Sequence, residues 1–193
     1  LFGATGNPFA PDLTCGGSSG GSAVAVASEM APLATGSDHG GSLRIPASYC
    51  GVVGFRATPG VVPNEERAIT QTNYSVQGPI ARNVADAALL LSVIAERSTR
   101  TRRDPMAFPL DASSFARLDD INLGELRVAT SEDLGGVLVS DGNRALFRAK
   151  IADFADTFHT CEPGNLNLTD APDVDWHLRQ DVFVTQYIDQ ADS

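Results

Sequence analysis

Lysine is all but missing from this sequence. Of its 14 basic residues, Lys150 is the sole lysine and the rest are arginines. The lysine-bearing Walker loop for nucleotide phosphates is therefore absent, and so is a G-x-G-x-x-G turn after a strand. Cysteine is scarce too. Cys15, Cys50 and Cys161 are odd in number and widely spaced, which excludes a disulfide framework and a CxxC metal pair. Free thiols point to a reducing compartment and hence to the cytoplasm. No apolar run reaches 18 residues, so no transmembrane helix is expected. Net positive charge is lacking as well: the balance is −10, which disfavours nucleic acid or an anionic membrane as partner.

What is present suffices for a folded core. The 193 residues are 42% hydrophobic and 20% charged, and 18 glycines and 11 prolines imply many turns. The first residues, LFGATGNPFAPDL, lack the basic start and apolar centre of a signal peptide. They begin without methionine on turn-rich sequence, and YIDQADS stops just after a helical pattern, so a piece of a longer chain is expected.

The apolar pattern predicts elements in alternation. SAVAVASEMA (22–31) reads as a buried helix, and MAPLATGSD (30–38) as a short strand entering a turn. Residues 45–63, broken by glycine and proline, are expected to be irregular, with a helical turn after Pro46. The clearest helix covers 83–97, capped by Asn83 with Asp86 at its third position. Its stripe is Val84, Ala87, Ala88, Leu91, Ile94 and Ala95. Residues 98–117 read as a surface loop whose Arg97, Arg100, Arg102 and Arg103 belong to a solvated segment or an anion site. LRVATS (126–131) reads as a strand. A helix over 143–158, capped by Asp141, presents Phe147, Ile151, Phe154 and Phe158. CEPGNLNL breaks the pattern, and a last helix covers about 173–189. The class is α/β.

Two glycine-serine runs stand out: CGGSSGGSA (15–23) and GSDHGGSLRIPAS (36–48). Glycines permit tight turns and close backbone approach. Successive N–H groups in such turns can hold an anion or an oxyanion. The residues alone leave three readings open: a phosphate loop, a serine nucleophile with an oxyanion hole, or two glycine-rich turns with incidental serines. The G-x-S-x-G elbow fails at Ser42, which has Gly40 on one side and Arg44 on the other. Of the histidines, His39 lies too close to Ser42 in a tight turn for good triad geometry, and His159 and His177 belong to amphipathic helices.

Taken together, CGGSSGGSAVAVASEMAPLATGSDHGGSLRIPASYCGVVGFRATPG and QGPIARNVADAALLL resemble the amidase signature family, densely over residues 15–95 and more thinly over 105–165. The resemblance implies a mixed central β-sheet flanked by helices, here incomplete. It implies one domain over 1–193, with a signature core at about 15–95 and a peripheral α/β segment at about 118–193. Ser42 matches the acylated nucleophile, and Ser18 matches the bridging serine after a cis peptide bond, here Gly17–Ser18. The amides of His39, Gly40, Gly41 and Ser42 match the oxyanion hole. Gly17, Ser19, Asp38 and Arg44 match the scaffold around it. No metal and no cofactor is implied, and the expected partner is a small-molecule amide.

The family's base is a lysine acting through the bridging serine, and it lies well before the GGSS run. Lys150 comes after both serines and does not match it. The 193 residues are therefore expected to be inactive alone. The alternatives are a non-catalytic module and the amidase component of an amidotransferase complex. Uncovered apolar surface would favour homo-oligomers.

Overall fold

The computed structural model describes residues 3–64, 74–95, 104–118 and 121–164. The chain divides into two compact units, Leu1–Asp119 and Asp120–Ser193. The predicted helix at 173–189, His177 and the arginines at 97, 100, 102 and 103 lie outside the described residues. Among those residues, no helix is long and apolar enough to cross a membrane.

The first unit opens with a small antiparallel pair, β1 (Gly6–Asn7) and β2 (Ala10–Thr14). Helix α1 (Gly20–Ala27) follows, then β3 (Leu33–Asp38), α2 (Arg44–Cys50), β4 (Val53–Gly54), β5 (Val76–Ala81) and α3 (Val84–Ile94). The main sheet runs β3-β5-β4 and is antiparallel throughout. Its core gathers Cys15, Ala23, Val26, Leu43, Cys50 and Ile80. Small side chains let α1 lie close on the sheet, with Ala23 and Val26 fully buried. Arg82 closes the C-terminal end of α1, donating to the carbonyls of Val26 and Ala31 at 3.2 Å each. A guanidinium there adds a donor to a last-turn carbonyl of α1 and sits at the helix's negative end.

Helix α3 begins as expected. The Asn83 side chain accepts the Asp86 N–H at 2.8 Å, and its own amide donates back to the Asp86 carboxylate at 2.8 Å. Its stripe is narrower than expected, because Val84 at its start is exposed while Ala87 and Leu91 are buried. Ala57, Val61, Val62, Leu91, Ala95 and Ala112 form a second core. Residue 112 begins a 3-10 turn over Ala112–Ala116, capped by the Asp111 carboxylate. The surface loop expected over 98–117 is thus tied down at its end, since Ala112 gains more by burial against α3 than a polar loop context suggests.

The helix expected after Pro46 begins at Arg44 instead. Proline in a first turn costs nothing, because its missing N–H falls where no intrahelical acceptor is required. Gly51, with φ of +64°, ends α2 in the left-handed conformation.

Leu43 is the pin of this unit. It is fully buried and lies over a cross-strand glycine pair, Gly36 on β3 opposite Gly78 on β5. A methyl group on Gly36 would approach Leu43 Cδ2 to 2.8 Å, and one on Gly78 would approach Leu43 Cδ1 to 2.7 Å. The two glycines leave a slot that the leucine fills. Leu43→Ala is expected to lower stability by about 2–5 kcal/mol, read as a lower midpoint in equilibrium urea unfolding.

The second unit is a β-α-β turn: β6 (Arg127–Thr130), α4 (Asp141–Phe154) and β7 (Thr160–Pro163), with β6 and β7 parallel. The cap of α4 is Ser140, whose hydroxyl accepts the Asn143 N–H at 3.4 Å, and Asp141 sits one residue inside. An acidic side chain is favourable there because of the positive helix end. The helix stops at Phe154, which is exposed, and a 3-10 turn over Ala155–Thr157 carries Phe158 off the expected stripe. Glu132 ties the loop after β6 to α4, accepting from Arg148 at 2.6 and 2.9 Å and from Arg144 at 3.3 Å. The helix is broken before CEPG as expected, and Cys161–Pro163 of that stretch lie in the parallel strand β7.

Candidate active site

The two glycine-serine runs meet in the first unit. The first leads from β2 into α1, and the second leads from β3 into α2. The peptide bond Gly17–Ser18 is cis. Ser18 is exposed and Ser42 half-buried.

Ser19 is the clamp between the runs. Its N–H donates to the Ser42 carbonyl at 3.2 Å. Its hydroxyl donates to the Ser37 carbonyl at 3.2 Å and accepts the Ser37 N–H at 3.2 Å. Ser19 therefore spends its side chain on β3 and caps no N–H of α1. The sequence explains why the Ser42 carbonyl is available. In the first turn of α2, Ile45 donates to Gly41 and Ala47 to Leu43, at 2.7 and 3.2 Å. Pro46 lies between them and has no N–H, so the intervening acceptor, Ser42, is left for Ser19.

Asp38 organises the second run from below. It is wholly buried at the end of β3. Its carboxylate accepts the Gly41 N–H at 2.8 Å and the Leu43 N–H at 3.3 Å. Arg44 adds a two-pronged contact at 2.9 and 3.0 Å, and Arg56 a further one at 3.3 Å. Burial alone would push this carboxyl upward. The Arg44 guanidinium and the two backbone N–H groups outweigh it and hold Asp38 well below the usual carboxylate range. The Gly41 N–H is thereby engaged inside the turn, where Gly41 adopts a φ of +112°.

Two further residues, Arg56 and Tyr74, join the site through the fold rather than through either serine run. Arg56 donates to the backbone carbonyls of Asp38 and Tyr74, the latter at 2.9 Å. The Tyr74 ring stacks on His39 with centroids 5.4 Å apart. Arg56 carried one signal, a lone cation inside an otherwise apolar stretch, GVVGFRATPG. Tyr74 carried none, since β5 alone brings it near. Behind the site, the Cys50 thiol contacts the Cys15 carbonyl at 3.7 Å, and burial pushes that thiol upward.

The other candidates lie elsewhere. His159 is exposed in the second unit, and Lys150 there is exposed and paired with Asp153 at 2.9 Å.

The model of the Amidase family matches residues 1–171. This chain belongs to the amidase family. An acylamidase from Rhodococcus erythropolis is 42% identical over 135 residues, covering 70% of this chain and 28% of that protein. The glutamyl-tRNA(Gln) amidotransferase of Macrococcus caseolyticus has a subunit that is 42% identical over 147 residues, covering 76% of this chain and 30% of that protein. Among solved structures, a bacterial aryl acylamidase of the amidase signature enzymes superposes with a TM-score of 0.72 at 32% identity, over 86% of this chain and 33% of that one. This chain thus spans less than a third of the length of the first two relatives.

Proposed function

We propose that this chain is the nucleophile-bearing segment of an amidase that cleaves a carboxylic amide through an acyl-enzyme on Ser42. The observation that carries the reading is the Ser19 N–H on the Ser42 carbonyl at 3.2 Å, joining the two serine runs. A serine hydroxyl is a weak nucleophile unless a base removes its proton. In this reading Ser18 relays that proton from Ser42 to a neutral lysine amine. The Ser42 oxygen attacks the carbonyl carbon, and the resulting oxyanion is held by backbone N–H groups of the turn at His39, Gly40 and Ser42. The Gly41 N–H stays on Asp38 and keeps the turn in shape. As the C–N bond breaks, the relay runs backwards and protonates the leaving amine. Water then repeats the cycle on the ester.

The lysine is not Lys150, whose ammonium is spent on Asp153 at the surface of α4. The base belongs to the part of the family's fold that these 193 residues do not span, and the isolated chain is inactive. Ser18→Ala in the full-length protein is expected to lower kcat by a hundredfold or more, on the order of the contribution of a positioned proton-transfer group. Turnover within a fewfold of wild type would refute the relay.

The likeness to an amidotransferase component favours a second reading, in which the same serine works inside a complex. Hydrolysis of simple amides by the full-length protein with no partner present decides for the first reading. Activity that appears only with partner proteins decides for the second.

A further inference from the structure

Ile45 is an aliphatic side chain left 42% exposed at the start of α2, three residues past Ser42. It bridges the two serine runs. A methyl group placed on Gly41 would lie 2.7 Å from Ile45 Cδ1 and 3.0 Å from Cγ1. One placed on Gly16 would lie 3.0 Å from Ile45 Cγ2. Both glycines have positive φ, +75° at Gly16 and +112° at Gly41, so each is a turning point of its run. The Ile45 backbone is fixed as well, its N–H donating to the Gly41 carbonyl at 2.7 Å. One branch of the side chain therefore rests on the turn before Ser18 and the other on the turn before Ser42. β-branching leaves few rotamers with which to yield.

We infer that Ile45 is a positioning residue: a spacer wedged between Gly16 and Gly41 that sets the separation of Ser18 and Ser42. The inference rests on the amidase reading above. Ile45 is one of several large apolar side chains exposed among the described residues, and what sets it apart is that its branches face both glycine turns. The two branches have separable parts. Ile45→Val keeps the Cγ2 methyl on Gly16 and loses the Cδ1 methyl on Gly41. Ile45→Ala loses both.

The test uses the full-length protein and a matched pair of substrates, an amide and an ester with the same acyl group. An amine leaves only once protonated, so amide cleavage depends on the Ser18 relay more heavily than ester cleavage does. Ile45→Ala is expected to lower kcat on the amide by roughly tenfold to a hundredfold, the scale of a misplaced catalytic group. KM is expected to change little, the ester rate is expected to fall less, and Ile45→Val should lie between. An equal loss on amide and ester, or a loss confined to KM, would overturn the spacer role. A wild-type protein inert towards both substrates, and no faster than its Ser42→Ala variant, would overturn the amidase reading instead. The thermal midpoint of each variant separates spacing from unfolding: a loss of activity that tracks the midpoint and is restored at lower temperature counts against the spacer.

Discussion

The full-length protein treated with a fluorophosphonate is expected to carry the label on Ser42, and Ser42→Ala is expected to abolish it. Removing the nucleophile of a serine hydrolase costs on the order of a millionfold in kcat, so residual turnover should be near background. The 193-residue chain by itself is expected to remain unlabelled. It has the hydroxyl and the backbone donors, but its only lysine is engaged with Asp153 in the second unit. Mass spectrometry of the digested protein reads both outcomes. Strong labelling of the 193-residue chain, lost in Ser42→Ala, would refute the claim that the base lies elsewhere. An unlabelled full-length protein would refute the amidase reading.

The second large effect is expected at Asp38, where chemistry and stability meet. Asp38→Asn keeps the shape of the side chain and removes its charge. Arg44, with 57% of its side chain exposed, can return to water, but Arg56 is largely enclosed and the Gly41 and Leu43 N–H groups lose a charged acceptor. The loss at pH 7 is expected at the lower end of the range for breaking a buried pair, about 3 kcal/mol. Its pH dependence has a definite sign. The native carboxyl is held below its unfolded value, so its contribution is complete above about pH 4 and is lost as the pH falls through the lowered native value. Urea midpoints measured from neutral pH down to acid should converge for wild type and Asp38→Asn as the wild type loses this contribution. A constant gap between them would show that the carboxylate's charge is not what holds the turn.

Much of the site was legible because it is local. Asp38, Gly41, Leu43 and Arg44 act on one another within seven residues, and the Gly-Ser runs declare their turns by composition. The Asn83 cap of α3 was legible for the same reason. Arg56 and Tyr74 were not, because each meets Asp38 or His39 only after chain segments distant in sequence pair in the sheet. β5 was also hidden. Gly78 and Pro79 are poor strand formers, yet the glycine is required where Leu43 and the Phe55 backbone come close. β7 was concealed by the proline that ends it and the glycine that follows, which read as a break although parallel pairing with β6 carries the strand through Pro163. The start of α2 is hidden in the sequence because proline signals a boundary there, whereas in a first turn it fits without cost.

The glycine pair beneath Leu43 has a consequence for how this region can change. Side chains alternate between the faces of a strand, so a slip of β3 by one residue against β5 would set Thr35 or Ser37 opposite Gly78 in place of Gly36. Their side chains would occupy the slot, and Leu43 would be driven out together with the serine beside it. Inserting or deleting a single residue in β3 would then disturb the turn that carries Ser42, although it alters no reactive group. The address of Ser42 is kept as a count of residues along two strands.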